Sequence, residues 1–299
     1  MIIHFSMKKL FIIFIISCIF SACNDGDIIV TEFDFEMTNL SNCGAPGGYT
    51  FFNINNSSAA ESISLNLTTT DILFLESSVQ EFQLNSSSNI VNYRKYNDDV
   101  SSNYFCSNIP PISPVVTLEF LGESGTAELT TIVSKLDNDG LEEDITSDLD
   151  TDNDNLLNYF DEDDDGDNVI TIIELGLDYV NGVTENPQDT DGDGIYDYLD
   201  IDDDNDGVLT RYEDANGDLD PTNDETQEGD GPDYLNGSIS NTNTIDQYRL
   251  HSYSFISDIS LVLIDLVLIS NDEEIIQETL NMGSQNNVIN TTVTETPEF

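Results

Sequence analysis

DTDGDGIYDYLDIDDDNDGVLTRYED, residues 189–214, decides how this chain is read. Its second half sets Asp202, Asp204, Asp206, Gly207 and Glu213 in the spacing D-x-D-x-D-G-x5-E. Alternate residues of a tight loop turn their carboxylates toward one point, and glycine at position six permits the sharp bend. Val208 at position seven adds a backbone carbonyl, and Glu213 at position twelve closes the shell with two oxygens. Ca2+ asks for such a donor set, six to eight hard oxygens at about 2.3–2.6 Å. The first half fits the same frame. Asp189, Asp191, Asp193 and Gly194 open a loop, Ile195 offers a carbonyl, and Asp197 and Asp200 fall at positions nine and twelve. One residue separates the two loops, which leaves no room for the long helices of an EF-hand.

The pattern repeats. DTDNDNLLNYFDEDDDGDNVITIIEL, residues 150–175, aligns on the first stretch without a gap at an offset of 39 residues, a length typical of repeat arrays. Asp150, Asp152, Asp154, Asn158 and Asp161 make its first loop. Asp163, Asp165, Asp167 and Glu174 make its second. Asn155 and Asn168 replace the glycines at position six, and Asn is the next most tolerant residue of a left-handed backbone. Degenerate copies flank the pair. The copy at 136–144 has Lys135 where an acid belongs, and EGDGPDYLN, 228–236, is one residue short.

These units resemble the thrombospondin type 3 repeat, whose DxDxDGxxDxxD segments wind around strings of calcium ions. The resemblance covers about a third of the chain, residues 137–236. It implies several structural calcium ions, calcium-dependent folding, extracellular placement and a structural or adhesive role. The animal repeats often carry disulfides; this segment has no Cys and would depend the more on metal. The bland alternative is a disordered acidic linker. Against it stands the apolar register: Ile170 and Leu209 share position eight, and Phe160 and Leu199 share position eleven.

The beginning of the chain reads as an address. Lys8 and Lys9 precede an apolar run, 10–20, followed by Ser21, Ala22 and Cys23. That is the layout of a secretory signal, and the run is too short for a membrane-spanning helix. MKKLFIIFII makes Met7 a better start than Met1. FSAC resembles a bacterial lipobox, which implies a lipidated Cys23 at the mature N-terminus and an exported Gram-negative protein held at the cell envelope, at the outer membrane or cell surface. A plain signal peptide is the alternative.

The formal charge of the chain is −52, from 59 acidic and 7 basic residues. Nothing basic is available to meet phosphates, so nucleic acid is excluded as a partner. Membrane contact is expected through the lipid anchor only. The expected partners are calcium and an unidentified surface or matrix molecule. Cys43 and Cys106 remain after the signal and form an even pair in an exported chain, which reads as one disulfide.

The flanks read as strands. Expected are 28–36, 49–54, 62–68, 72–75, 79–84, 90–93, 102–106, 115–121 and 126–133 before the array, with Gly122-Glu-Ser-Gly125 as a turn. After it come 248–256, the apolar run 259–269 and 275–280, with 291–299 frayed. Asp265 interrupts the apolar run and suggests a turn or bulge. Three strands are too few to stand alone, so the tail is expected to complete the sheet begun before the array. The fold expected is mainly β: a discontinuous β-sandwich with an inserted, mostly irregular calcium-binding repeat array. Its parts are a signal peptide (1–22), a lipidated tether (23–27), the first part of the sandwich (28–135), the calcium repeats (136–237) and the second part of the sandwich (238–299).

Catalytic constellations are not found. His251, the only His beyond the signal, lies in a strand context and reads as a surface or sheet residue. There is no G-x-S-x-G, P-loop, dinucleotide fingerprint or Cys/His cluster. The leading expectation is a non-enzymatic spacer or adhesive module stiffened by calcium. The other is an envelope hydrolase or accessory subunit with its site in the sandwich loops.

Overall fold

The computed structural model describes residues 27–28, 33, 35, 39–57, 59–141, 145–271 and 273–297. The expected signal segment, Cys23 and most of the expected strand at 28–36 lie outside them. The protein is mainly β, 38% strand against 11% helix, with a curled antiparallel sheet. In chain order the strands are β1 (Asp27–Ile28), β2 (Ser41–Ala45), β3 (Gly48–Asn55), β4 (Glu61–Leu67), β5 (Ser78–Gln83), β6 (Asn89–Tyr96), β7 (Val116–Leu136), β8 (His251–Ser270) and β9 (Glu273–Glu295). They form one hydrogen-bonded path in the order β1-β9-β8-β7-β6-β4-β3-β2, with β5 paired to β7. β7 and β8 are therefore neighbours although the whole acidic segment lies between them in sequence.

The chain divides into two compact units. The first takes the chain up to Ile72 together with Val79–Leu129 and Ser260–Ser284. Its core is apolar: Phe51, Ile63, Leu65, Val91, Phe120, Leu261, Leu263 and Leu266 are buried. Leu65 pairs with Val91 across β4 and β6, and with Phe51 across β3 and β4. The alternation read at 62–68 is this inward face. Polar groups inside make long-range hydrogen bonds: Asn53 Nδ2 donates to the Met282 carbonyl at 2.9 Å, and the Tyr93 hydroxyl to Glu61 at 2.6 Å. Cys43 and Cys106 are bonded, their Cα atoms 5.8 Å apart.

Four local expectations fail. Residues 102–106 hold a single helical turn, α1 (Asn103–Cys106), which stacks Phe105 on Phe52 at 4.4 Å. Residues 72–75 form bends, not a strand. The chain from 291 continues as β9 to Glu295. The supposed turn at 122–125 lies inside β7, where the inward set moves from Phe120 and Gly122 to Ala127 and Leu129. Across the sheet β8 makes the reverse move. Its inward residues are odd-numbered to Leu263 and even-numbered from Leu266, with Asp265 at φ +51° and exposed. Asp265 is thus a bulge residue, one of the two roles expected of it. Gly125, at φ +132°, lies against the bulge: a Cβ there would come within 2.9 Å of the Ile264 carbonyl oxygen.

The second unit comprises Leu73–Ser78, Thr130–Ile259 and Gln285–Phe299. One apolar cluster in it joins Leu156, Phe160, Tyr253 and Phe255, flanked by Val133, Leu157, Tyr159, Ile289 and Val293, and Val169, Leu175, Tyr234 and Ile259 are buried besides. The Lys135 ammonium sits 4.1 Å from the centre of the Phe160 ring and 5.3 Å from that of Tyr253. Most of this unit has no regular structure. Single helical turns punctuate it at Asn158–Phe160, α2 (Thr171–Glu174), α3 (Leu177–Val180), Asp197–Leu199, Thr210–Glu213, Pro221–Asn223 and Asp233–Leu235.

Candidate metal centre

The backbone of the four loops is the same. Positions four and six are left-handed in every one: Asn153 and Asn155, Gly166 and Asn168, Gly192 and Gly194, Asn205 and Gly207, with φ between +54° and +99°. Only Gly and Asn fill these eight places, because other side chains clash there. The two bends curl the chain so that its amides point inward as a nest. In the loop that begins at Asp163 the nest grips the loop's own first carboxylate. Asp163 Oδ1 accepts from the Gly166 and Asp167 amides at 3.1 and 3.3 Å, and Oδ2 from the Asn168 amide at 2.9 Å.

At positions three and five each aspartate divides its two oxygens. Oδ1 accepts a backbone amide two residues on: Asp152 from Asp154 at 3.1 Å, Asp154 from Leu156 at 2.7 Å, Asp165 from Asp167 at 3.3 Å and Asp167 from Val169 at 2.8 Å. Asp204 and Asp206 do the same at 3.1 and 2.8 Å. The other oxygen, Oδ2, of all six is buried and has no hydrogen-bond partner. Glu174 and Glu213, at position twelve, are 1% and 2% exposed and leave both carboxylate oxygens without one. The exits from the loops place them, since each ends a helical turn, Thr171–Glu174 or Thr210–Glu213.

Buried acceptors without donors are costly, and the charges make the cost plain. Burial, with the neighbouring carboxylates, pushes Asp152 and Asp167 up to about 7 and Glu213 up to about 8. Asp154 and Asp204 rise to about 6 for the same reasons. Asp163, Asp165 and Glu174 are raised well above the carboxylate range, burial first and the charges of the cluster second. The ligand atoms of Asp150, Asp152 and Asp154 lie within 4.8 Å of one another, as do those of Asp163, Asp165 and Asp167 and those of Asp189, Asp191 and Asp193. A divalent cation held among them would neutralise charge and supply the missing partner. All-oxygen donors of this kind suit a hard ion such as Ca2+.

The residues expected at position nine have a different task. Asn158 Oδ1 accepts from the Thr151 amide and hydroxyl at 3.0 and 3.2 Å. Asp197 accepts from the Thr190 amide and hydroxyl at 2.7 Å each, and from Gln188. Both lock the loop closed. At position twelve, Asp161 and Asp200 each accept the amide two residues on at 3.1 Å. Asp202 Oδ1 is buried without a partner, as is Asp150 Oδ1. The loop from Asp189 is the most open: Asp193 is exposed, and Asp191 accepts from Asn205 at 2.8 Å.

Sequence reasoning missed three features. His251 is a sheet residue, the first of β8, as one of the two readings had it, but its burial against the loops was not foreseen. It is 1% exposed, with Nδ1 2.7 Å from Asp161 and Nε2 3.9 Å from Asp163. Burial lowers its pKa, but the hydrogen bond and charge of Asp161 and the charges of Asp163 and Asp154 outweigh that, and the net shift is upward. Next to it Asn168 ties its loop to the approach to β8, donating to the Gln247 carbonyl at 3.1 Å and accepting from the Arg249 amide at 2.8 Å. The second omission is a fifth loop at 214–225. Asp214 accepts from the amides of Gly217, Asp218 and Leu219, as Asp163 does in its loop. Leu219 holds the left-handed position six at φ +66°, so no Gly or Asn marks it. The third is Asp203, at position two, where the calcium-loop spacing assigns no ligand.

No protein-family model, curated protein or solved structure matches this chain.

Proposed function

We propose that residues 137–236 are a calcium-binding array of the thrombospondin type 3 kind, carried by a lipid-anchored protein of the cell envelope. Calcium stiffens the array, and the protein serves as a non-enzymatic spacer or adhesive module toward a surface or matrix partner. One observation carries the reading. At positions three and five of three of the four loops, those from Asp150, Asp163 and Asp202, one carboxylate oxygen is spent on the backbone, and its twin is buried facing other carboxylates with no partner. A solvated acidic linker has no cause to bury charge in this way. Extracellular calcium is near-constant and millimolar, the range in which sites of about 10⁻⁴–10⁻³ M act structurally.

Native mass spectrometry and calorimetric titration of the mature chain test the reading. Several Ca2+ should bind, with Mg2+ a poor substitute, and EGTA should remove the ordered signal of the array in hydrogen exchange. A chain that takes up no calcium at millimolar concentration ends it. The anchor is tested separately, by the mass of the N-terminal peptide: diacylglycerol on Cys23 is expected, and an unmodified Cys23 removes the envelope anchor from the proposal.

A further inference from the structure

We propose that Asp203, a residue of the second repeat, completes a divalent-cation site of the first repeat with Asp167 and Glu174, so that one ion fastens the two repeats together. The inference rests on the calcium reading above and adds to it a ligand that the loop spacing does not give.

The three ligand atoms lie within 4.8 Å of one another, and all three residues are buried. Asp203 is 2% exposed, Glu174 1% and Asp167 0%. Both oxygens of Asp203, both of Glu174 and Oδ2 of Asp167 have no hydrogen-bond partner. One oxygen from each of the three carboxylates thus meets the other two, and the three groups together carry five oxygens with no hydrogen-bond partner; Ca2+ takes six to eight oxygens, and a backbone carbonyl or a water would complete the set. Were the site closed to cations, it would hold three uncompensated carboxylates in a dry pocket, an arrangement too costly to keep.

The direction of Asp203 is built in. Its amide donates to the Thr210 hydroxyl at 3.3 Å, as the Asp164 amide donates to Thr171 one repeat earlier at 3.1 Å. That bond ties position two to position nine and fixes the backbone from which the Asp203 carboxylate meets Asp167 and Glu174. Glu174 and Asp203 are separated by the segment 175–202, which includes α3 and the open loop from Asp189. An ion held by both ends closes that segment into a ring. Such a closure removes conformations from the detached state much as a covalent link does.

The experiment compares full-length mature protein with Asp203→Asn, Glu174→Gln and the double variant, with Asp178→Asn as an exposed control. Calcium is counted by native mass spectrometry, and cleavage within 175–196 is followed by limited proteolysis in 2–5 mM calcium (roughly the extracellular range). Asp203→Asn should lose one ion, or weaken one site about tenfold or more, and should open 175–196 to protease. Glu174→Gln should do the same, and the double variant should lose little more than either, because the two residues share one site. Equal calcium counts and equal protection in Asp203→Asn and wild type overturn the cross-repeat site while leaving the array intact. So does simple additivity in the double variant. A wild type that binds no calcium at all overturns the array itself. Melting in EGTA checks folding: both asparagine and glutamine replacements should leave the metal-free protein as stable or more so, since each removes a buried carboxyl that the fold must hold protonated.

Discussion

A single aspartate in these loops does two jobs with two oxygens. Asp206 Oδ1 holds the Val208 amide at 2.8 Å and so shapes the turn, while Oδ2 waits without a partner. The position-twelve glutamates have no structural hydrogen bond of their own, which makes them clean probes. Glu213→Gln should change sign with the solvent. In calcium it removes ligand charge and lowers the melting temperature by several degrees, about 1–3 kcal/mol for a lost charged partner. In EGTA it relieves repulsion from Asp204 and Asp206 and raises the melting temperature; a scan in both buffers checks it. The metal-free protein should also depend on pH in an unusual direction. A carboxyl whose folded pKa is raised holds more protons folded than unfolded, so stability falls as pH rises. Asp154 and Asp204 at about 6, Asp152 and Asp167 at about 7 and Glu213 at about 8 set the window. Metal-free stability should be greatest near pH 4 and decline up to about pH 8, whereas excess calcium should flatten or reverse the slope, because the ion competes with protons for the same oxygens. Thermal melts across that range with EGTA or calcium decide it. At this scale the spacing made the residues at positions one, three, five and twelve legible. Asp203 and His251 were not, because one stands at a place the motif leaves blank and the other arrives from a strand far away in sequence.

Among the elements, the long strands are where sequence and structure part. Gly122-Glu-Ser-Gly125 has the composition of a turn, and β7 nonetheless runs through it. The reason lies on the partner: β8 carries an extra residue at Asp265, and a strand facing a bulge must yield where the two backbones crowd. Gly125 yields, with a φ no β-branched residue adopts and no room for a Cβ. Gly125→Ala should therefore destabilise the first unit by about 1–3 kcal/mol, from the left-handed backbone and the contact with the Ile264 carbonyl. Chemical denaturation with unchanged m-value measures it, and a neutral result would refute the matched kink. The error at 102–106 has a related cause. Tyr104 and Phe105 read as strand residues by propensity, but a four-residue turn brings Phe105 onto Phe52 and Cys106 to Cys43. Short elements fixed by such long-range contacts leave little trace in local pattern. The strand at 62–68 was legible from its alternation, but not as half-buried: Ser62 and Ser64, on the face opposite Ile63 and Leu65, are buried as well.

For the molecule as a whole, order comes from two sources. The first unit has Phe, Leu and Ile inside it; the second has a small aromatic cluster and a large number of buried acids. Chelation should separate them. With EGTA, hydrogen exchange should rise sharply across 137–236 and stay slow in β3, β4 and β6, and the radius of gyration should grow as the segment's charges repel. Uniform protection in both buffers would contradict a metal-held array. The topology has a further consequence. β7 ends at Leu136 and β8 begins at His251, and the two strands lie side by side in the sheet. Whatever joins them leaves and returns at one place, as a hairpin loop does. The first repeat, however, is fastened to that place, Asn168 to Gln247 and Arg249 and Asp161 to His251, so an added or deleted copy of 39 residues leaves the strands undisturbed only if it falls after that repeat.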